Sequence, residues 1–487
     1  METRYKNDVH QRNFNKNSQE TTPLLTNKSV QFISYAEELG VIAKTSVPVI
    51  FAYMLQNSLQ TSCVLIVGHM GADELAASAF AFMFAMVTAW VVALGGSTAL
   101  DTLCSQAWTG SDNPHVIGIL LQRAYILLGL MFIPIGILWW NVEPLLIYLG
   151  QAEELSRMAA TFLRYLLVGA PGYILFEATK KYLQAQGIMH VGTYILLLAS
   201  PLSAALSYSL VWSENFGMGF VGAPIAISIT YWAMFGMIIL YIWKIDGSAG
   251  WGGFSRLAFH NLGGFMKLAI SGILMVGTEW WAFEIVALAA GRISRVSLAA
   301  QSVIMTTDQV LNTIPFGISV ASSNRIGNLL GEGKARAARN SANLSAMMAA
   351  TIGTAVMALM IIFRKHFGYL FSDEEDVVML VSEVMPWVAA FQIADGVAGS
   401  CGGSLRGMGN QHLGATVNLV SYYVLALPLG IYLAFKCHYG LTGLWVGQCV
   451  ALFLVGSFEW GIVALSDYEQ EVNKCSERLR NADINAQ

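Results

Sequence analysis

The segment AASAFAFMFAMVTAWVVALGGST, residues 76–98, runs for 23 residues without a charged side chain. About 20 apolar residues in an α-helix cross the ~30 Å hydrocarbon layer of a bilayer, so this segment predicts a membrane-spanning helix. Similar segments recur along the chain. They predict twelve spans, near residues 46–68, 76–98, 116–139, 159–180, 189–212, 220–243, 264–290, 297–320, 342–363, 384–404, 411–435 and 441–465.

The composition indicates an all-α, polytopic membrane protein. Hydrophobic residues make up 55% of the 487 residues and charged residues only 12%, whereas soluble proteins carry roughly 25% charge. The net charge is −4 and the sequence has no basic patch, so no nucleic-acid partner is expected. The polar segments 1–40 and 467–487 are predicted to be disordered cytosolic tails.

The distribution of Lys and Arg predicts the orientation in the membrane. With the N-terminus in the cytosol, 20 of the 27 basic residues fall in cytosolic segments or the adjoining span ends, and seven fall on the other side. Basic residues are enriched on the cytosolic side of membrane proteins. Both termini are therefore predicted to be cytosolic, which requires an even number of spans.

The second half of the chain repeats the first. GGSTALDTLCSQ from Gly95 aligns with GISVASSNRIGN from Gly317, and three further segment pairs align in the same order at offsets of 221 to 223 residues. Because six spans separate the copies, both halves enter the membrane in the same direction. This predicts two parallel six-helix lobes, residues 41–245 and 246–466, related by a pseudo-twofold axis along the membrane normal, with a binding cavity between them.

Several segments resemble a known family. They are ALDTLCSQAWTG from Ala99, EWWAFE from Glu279, LAAQS from Leu298, PFGISVASSNRIGNLLG from Pro315 and GGSLRGMGNQ from Gly402. Together they resemble the multidrug and toxic compound extrusion (MATE) family, most closely its eukaryotic branch, and only the two tails fall outside the resemblance. The resemblance implies a two-lobed transporter that exports organic, often cationic or amphipathic, compounds in exchange for cations, usually protons in eukaryotic members.

Carboxyl groups inside the spans are the candidates for ion coupling, because a charge at the bilayer centre costs about 2.5–3.5 kcal/mol on insertion scales. The candidates are Glu177, Glu279, Glu284, Asp308 and Asp395, which lie within predicted spans, and Asp101, which lies three residues beyond the second span. No Lys or Arg is predicted at mid-depth to pair with them. Desolvation favours the neutral form of an unpaired carboxyl group, and a group of this kind suits reversible proton binding.

Glu279 and Asp395 are predicted near the middle of the seventh and tenth spans. The repeat places Gln56 opposite Glu279, so only the second lobe has an ionisable group there. The MATE resemblance implies a role in transport for Glu279, Glu284 and Asp395, although animal members usually have Glu at the last position. Glu284 is ~140° around the helix from Glu279, so we expect the two acids in different environments.

Trp280 adjoins Glu279, and an aromatic ring beside a carboxylate suits an organic cation. Gln56, Trp280 and Glu279 are therefore the candidate substrate-binding residues, with simple aromatic packing as the alternative for Trp280.

The remaining acids have other expected roles. Asp101 is predicted at the inner end of its helix as a loop-bracing residue. Glu177 lies one helical turn before Lys180 and Lys181 and could pair with either. Asp308 has no counterpart in the family resemblance.

The sequence argues against an enzyme. It has no GxSxG, Walker A or HExxH motif and no Cys/His cluster. We therefore predict no catalysis, no ATP-driven pumping, no cofactor and no metal site.

A lipid or oligosaccharide flippase of a related fold is the alternative function. The scarcity of Arg within the membrane spans argues against it. Coupling to sodium instead of protons also stays open. A monomer in the lipid bilayer is expected.

The N-terminal tail carries two short motifs. ETTPLL, from Glu20 to Leu25, fits the acidic dileucine pattern that sorting adaptors read on cytosolic tails. It predicts a vacuolar or lysosome-like membrane, with the plasma membrane as the alternative. Asn27 begins a glycosylation sequon that we expect to stay unmodified in the cytosol.

Overall fold

A computed structural model of the protein describes residues 35–215, 217–371 and 374–484, and all regular structure in these ranges is helical. The membrane-spanning helices are α1 (Tyr35–Gly68), α2 (Ala72–Gly110), α3 (Val116–Trp140), α4 (Glu153–Ala185), α5 (Val191–Trp212), α6 (Gly219–Lys244), α7 (Leu262–Ile293), α8 (Arg295–Leu311 and Thr313–Gly331), α9 (Ala335–Leu370), α10 (Glu375–Met408), α11 (Gln411–Lys436) and α12 (Gly440–Leu465). Eleven are each long and apolar enough to cross a membrane, and the interrupted α8 is the twelfth. The twelve predicted spans are confirmed.

The interruption of α8 has a local cause. Pro315 has no backbone N–H, so it cannot donate to the carbonyl of Leu311 four residues earlier. The first segment of α8 ends at Leu311, and the N–H of Asn312 donates to the carbonyl of Asp308 at 2.7 Å. The helix resumes at Thr313. The break leaves the side chain of Asn312 available for a contact outside α8.

Several helices are longer than the predicted spans. α4 has 33 residues and α10 has 34, so both extend beyond the predicted limits of 159–180 and 384–404. Lys181 and Arg406 consequently lie inside helices, where they are buried, as is Lys180 at the predicted end of the fourth span. The prediction that no Lys or Arg at mid-depth pairs with the buried acids is therefore wrong for Asp101, whereas no ion pair forms with Glu279, Glu284, Asp308 or Asp395 among the described residues.

The polar C-terminal segment forms a further helix, α13 (Tyr468–Ile484). Its buried residues Tyr468 and Cys475 pack in one apolar cluster with residues of α8, α9 and α10. The expected disorder is therefore wrong for this segment, because one face of the helix is covered by the protein. It is also wrong for residues 35–40, which belong to α1. The dileucine segment and Asn27 lie outside the described residues.

Each half has its own large apolar cores, and the halves meet along small residues and at one smaller apolar cluster, in which Val320 of α8 packs with Val49 and Tyr53 of α1. One core is built from α1 to α6 with the start of α7, and the others from α7 to α13. A Cβ on Gly95 would lie 2.7 Å from the Cα of Ile273, and one on Gly331 would lie 2.4 Å from the carbonyl oxygen of Gln106. Only glycine permits such close approach of backbones. We call this contact, with Gly272 and Gly327, the glycine seam.

Candidate functional site

A buried polar network surrounds Gln56 in the first half. Lys180 Nζ donates to Gln56 Oε1 at 3.1 Å and to Glu177 Oε1 at 2.8 Å. Gln56 Nε2 donates to the hydroxyl of Tyr173 at 2.5 Å, and Lys180 Nζ lies 4.3 Å from the centre of the Tyr53 ring. The expected pairing of Glu177 with Lys180 is confirmed. The two charges beside Gln56 therefore neutralise each other.

The second half contains a small cavity of about 60 Å³ that acidic side chains line. Glu279 of α7, Asp395 of α10 and Glu459 of α12 contribute to its wall, together with Arg406. Asn312, at the interruption of α8, donates from Nδ2 to Asp395 Oδ2 at 3.0 Å. The fold thus brings together Glu279 and Asp395, the two acids that the sequence singled out. We call this space the acidic cavity.

Glu459 is a site residue that sequence reasoning missed. Its side chain is fully buried, and neither carboxylate oxygen has a hydrogen-bond partner among the described residues. The repeat carried no signal for it, because the position 222 residues earlier is Met237. The sequence did offer one signal, because Glu459 is the one charged residue in the twelfth predicted span, 441–465.

A larger cavity of about 460 Å³ lies between the halves. Its first-half wall follows α1 from Tyr53 to Leu65 and α2 from Ala79 to Leu94, and its second-half wall comes from α7 and α8. This volume is within the range of small-molecule binding sites. Aromatic residues contribute much of the lining: Tyr53, Phe82, Trp90, Tyr173, Trp280, Phe283 and Phe316. We call it the central cavity.

Polar groups also face the central cavity. Gln56 and Asp308 line it, and Asp308 Oδ1 accepts a hydrogen bond from Gln392 Nε2 at 2.9 Å. Glu284 lines it beside Glu279. The expectation that these two glutamates lie in different environments is therefore wrong for this cavity, because α7 presents a broad face to it.

Glu279 is the acid that lines both cavities. Asp395 and Glu459 line only the acidic cavity, whereas Asp308 and Glu284 line only the central one. In the part of the chain that the structure describes, no hydrogen bond is donated to the Glu279 carboxylate. The carboxylate can therefore accept a proton or face a cationic ligand without losing a protein partner.

A buried ion cluster joins the two halves beside the glycine seam. Lys181 Nζ lies 3.0 Å from Asp101 Oδ2, and Arg406 Nε lies 3.8 Å from the same oxygen. Thr102 Oγ1 donates to the carbonyl oxygen of Arg406 at 2.5 Å. Asp101 has no exposed surface, so its predicted loop-bracing role is wrong. It is an ion-pair residue between the halves.

Comparison with known proteins identifies the same architecture. Residues 48–209 and 272–432 each match the family model described as MatE, one match in each half. An uncharacterised transporter of Schizosaccharomyces pombe is 39% identical over 423 residues, which is 87% of this chain and 78% of that protein. Mouse multidrug and toxin extrusion protein 2 is 33% identical over 416 residues, 85% of this chain and 72% of that protein.

A solved structure has the same fold. The crystal structure of the eukaryotic MATE transporter AtDTX14 superimposes with a TM-score of 0.86 at 29% identity, covering 91% of this chain and 99% of that one. The twelve-helix, two-lobe arrangement agrees with it. With a family match in both halves and relatives that span most of its length, this chain is an integral, multi-pass membrane protein that belongs to the MATE family of multidrug and toxin extrusion transporters.

Proposed function

We propose that the protein is a secondary active exporter that exchanges organic cations or amphipathic compounds for protons. The observation that carries this proposal is the position of Glu279, which lines both the acidic cavity and the central cavity. A relative named for multidrug and toxin extrusion supports an organic substrate. The family is one of transporters rather than enzymes, which agrees with the expectation of no catalytic role.

Competition between a proton and the organic substrate for the Glu279 carboxylate would couple proton movement to substrate export. Three acids line the acidic cavity with Arg406 as the one cationic residue among the described lining residues. Repulsion between carboxylates in a low-dielectric space favours binding of a proton. A proton on Glu279 removes the charge that attracts a cationic substrate, so each ligand displaces the other. Such mutual exclusion is sufficient for thermodynamic coupling.

The central cavity suits an organic cation. Trp280 lies beside Glu279 in its wall, with Gln56 on the first-half side. A cation over an aromatic face gains about 0.5–2 kcal/mol. No Lys or Arg is among its described lining residues, which argues against transfer of phosphate-bearing lipids through this space and so against the flippase alternative.

Alternating access would require the halves to separate at the glycine seam. The seam and the Asp101 ion cluster hold the halves together on the side where α13 lies. With both termini in the cytosol, as the basic residues predict, this closed side would be the cytosolic one. Opening toward the cytosol would then separate Asp101 from Arg406 while the predicted lobes, 41–245 and 246–466, each keep their own core.

Asp395→Asn is expected to reduce the initial rate of transport driven by a pH gradient about tenfold, equivalent to ~1.4 kcal/mol. Asparagine cannot carry the proton, but its amide oxygen can still accept the hydrogen bond from Asn312. Glu284→Gln should change the rate less than about threefold, or ~0.7 kcal/mol, because Glu284 lies outside the acidic cavity. Uptake of an organic cation into proteoliposomes measures both. A larger loss for Glu284→Gln would contradict the assignment of proton binding to the acidic cavity.

The location is proposed to be a vacuolar or lysosome-like membrane, with export into its lumen. The support is the dileucine motif in the N-terminal tail. Leu24→Ala combined with Leu25→Ala should move a fluorescently tagged protein to the plasma membrane, whereas Leu65→Ala, outside the motif, should not. An unchanged distribution of the double variant would remove the motif from the account.

A further inference from the structure

A third cavity, of about 410 Å³, lies beside the glycine seam and is lined by basic side chains. α2, α3, the first turns of α7, the connection between α10 and α11, and α13 form its wall. The basic residues are Arg123, Lys267, His412, Lys474 and Arg478, and no Asp or Glu is among the described lining residues. This arrangement gives the cavity an excess of positive charge. We call it the basic cavity.

Arg123 is the buried member of this set, with 5% of its surface exposed. Its Nη2 donates to the carbonyl oxygen of Leu257 at 3.1 Å. Its Nε, in contrast, has no hydrogen-bond partner among the described residues. A guanidinium group stays charged under all physiological conditions, and a buried N–H without an acceptor is costly. Arg123 lines the basic cavity, and the described residues do not use all the donor groups of its guanidinium.

The first turn of α7 adds a second donor group. Its N-cap residue, Asn261, makes no side-chain capping hydrogen bond, and Gly264 of the first turn lines the cavity. The first N–H groups of a helix have no acceptor within the helix and carry partial positive charge. Helix N-termini of this kind bind phosphate groups.

The other basic residues differ in whether a nearby acid neutralises their charge. Lys474 pairs with Glu471 at 2.7 Å. Among the described residues, Arg478 Nη1 donates to two neutral acceptors, Gln106 Oε1 at 3.2 Å and the Met408 carbonyl oxygen at 3.0 Å. No described acid pairs with Lys267. No described acid therefore forms an ion pair with Arg123, Lys267 or Arg478 around this cavity.

We propose that the basic cavity binds a phosphate-bearing anion, either the headgroup of an acidic lipid or a free phosphate compound of the same chemistry. Basic pockets between membrane helices on the cytosolic side bind anionic lipid headgroups. The apolar part of the wall, which includes Leu120, Phe265 and Leu268, fits the glycerol and acyl carbons of a lipid. The proposal concerns a site separate from the two cavities that carry the proposed transport.

The ligand would also act on the seam. The wall combines residues of both halves with residues of α13, and Arg478 already bonds Gln106 of the first half and Met408 of the second. A phosphate group bound among them adds contacts that exist only while the halves meet here. The bound anion therefore favours the state in which the seam is closed.

The test titrates the purified full-length protein in detergent with three compounds: dioctanoyl phosphatidate, inorganic phosphate and dioctanoyl phosphatidylcholine. The melting temperature is the readout, because a ligand that binds the folded state raises it with increasing concentration. Phosphatidate should raise it saturably and net-neutral phosphatidylcholine should not. The Lys267→Gln/Arg478→Gln variant should bind phosphatidate at least ~tenfold more weakly, whereas Lys44→Gln, at an exposed lysine outside the cavity, should bind as the wild type does.

Each outcome decides the proposal. An equal, variant-sensitive response to inorganic phosphate supports the site and assigns it to free phosphate rather than to lipid. A response to phosphatidate alone supports the lipid headgroup. If the double variant is unstable, Arg123→Lys, which keeps the charge but loses the planar fork of donors, should weaken binding in its place. No saturable response to either anion, or equal affinities in wild type and folded cavity variants, would overturn the proposal.

Discussion

Glu279→Gln is expected to abolish transport driven by a pH gradient, leaving only the background of protein-free liposomes. The substitution removes ionisation at the acid that lines both the acidic and the central cavity and preserves side-chain size. Folding should survive, because no described residue donates a hydrogen bond to this carboxylate. The equivalent position of the first half already holds an amide, Gln56.

The experiment compares initial rates of organic-cation uptake into proteoliposomes under an imposed pH gradient. Glu383→Gln, the same chemical change on an exposed part of α10, is the matched control and should transport as the wild type does. Melting temperature and gel-filtration profile verify that both variants fold. Wild-type rates from a folded Glu279→Gln protein would contradict the role of this residue.

Asp101→Asn is expected to cost about 3–5 kcal/mol of stability, the usual loss when one partner of a buried ion pair is removed. Lys181 and Arg406 both depend on the Asp101 carboxylate, and all three side chains are at most 6% exposed. Without it, two buried positive charges face each other beside the glycine seam. The variant should therefore melt at a markedly lower temperature than the wild type.

A matched control and a double variant test whether the loss of stability comes from the buried charges that Asp101→Asn leaves unpaired. Asp73→Asn makes the same change at an exposed position in the first turn of α2 and should cost less than about 1 kcal/mol. Adding Lys181→Met to Asp101→Asn removes one of the stranded charges and should restore part of the lost stability. If Asp101→Asn melts no lower than the control, the ion cluster does not stabilise the contact between the halves.

The helices and their repeat could be predicted from the sequence, because crossing a bilayer requires long apolar segments that are visible locally. The acids Glu279 and Asp395 stood out for the same reason, as charges within apolar segments. Their meeting in one cavity followed from the fold, in which Asn312 at the break of α8 reaches Asp395.

The partners of Asp101 could not be predicted from local sequence, unlike the pairing of Glu177 with Lys180 one helical turn away. Spans of about 20 residues placed Lys181 and Arg406 at helix ends, but α4 and α10 continue past those limits. Asp101 is 80 residues from Lys181 and pairs with it only through packing of different helices. α13 escaped prediction because a polar helix with one buried face lacks the apolar length of a span.

The most direct test of the account is a measurement of proton release when an organic cation binds. Purified protein in weakly buffered detergent solution would be mixed with members of a panel of quaternary ammonium and guanidinium compounds while a pH indicator is monitored. The account predicts that binding to the wild type releases protons and that binding to Glu279→Gln releases markedly fewer. Binding that releases no protons from the wild type, but is weakened by sodium ions, would contradict proton competition at Glu279 and assign the coupling to sodium.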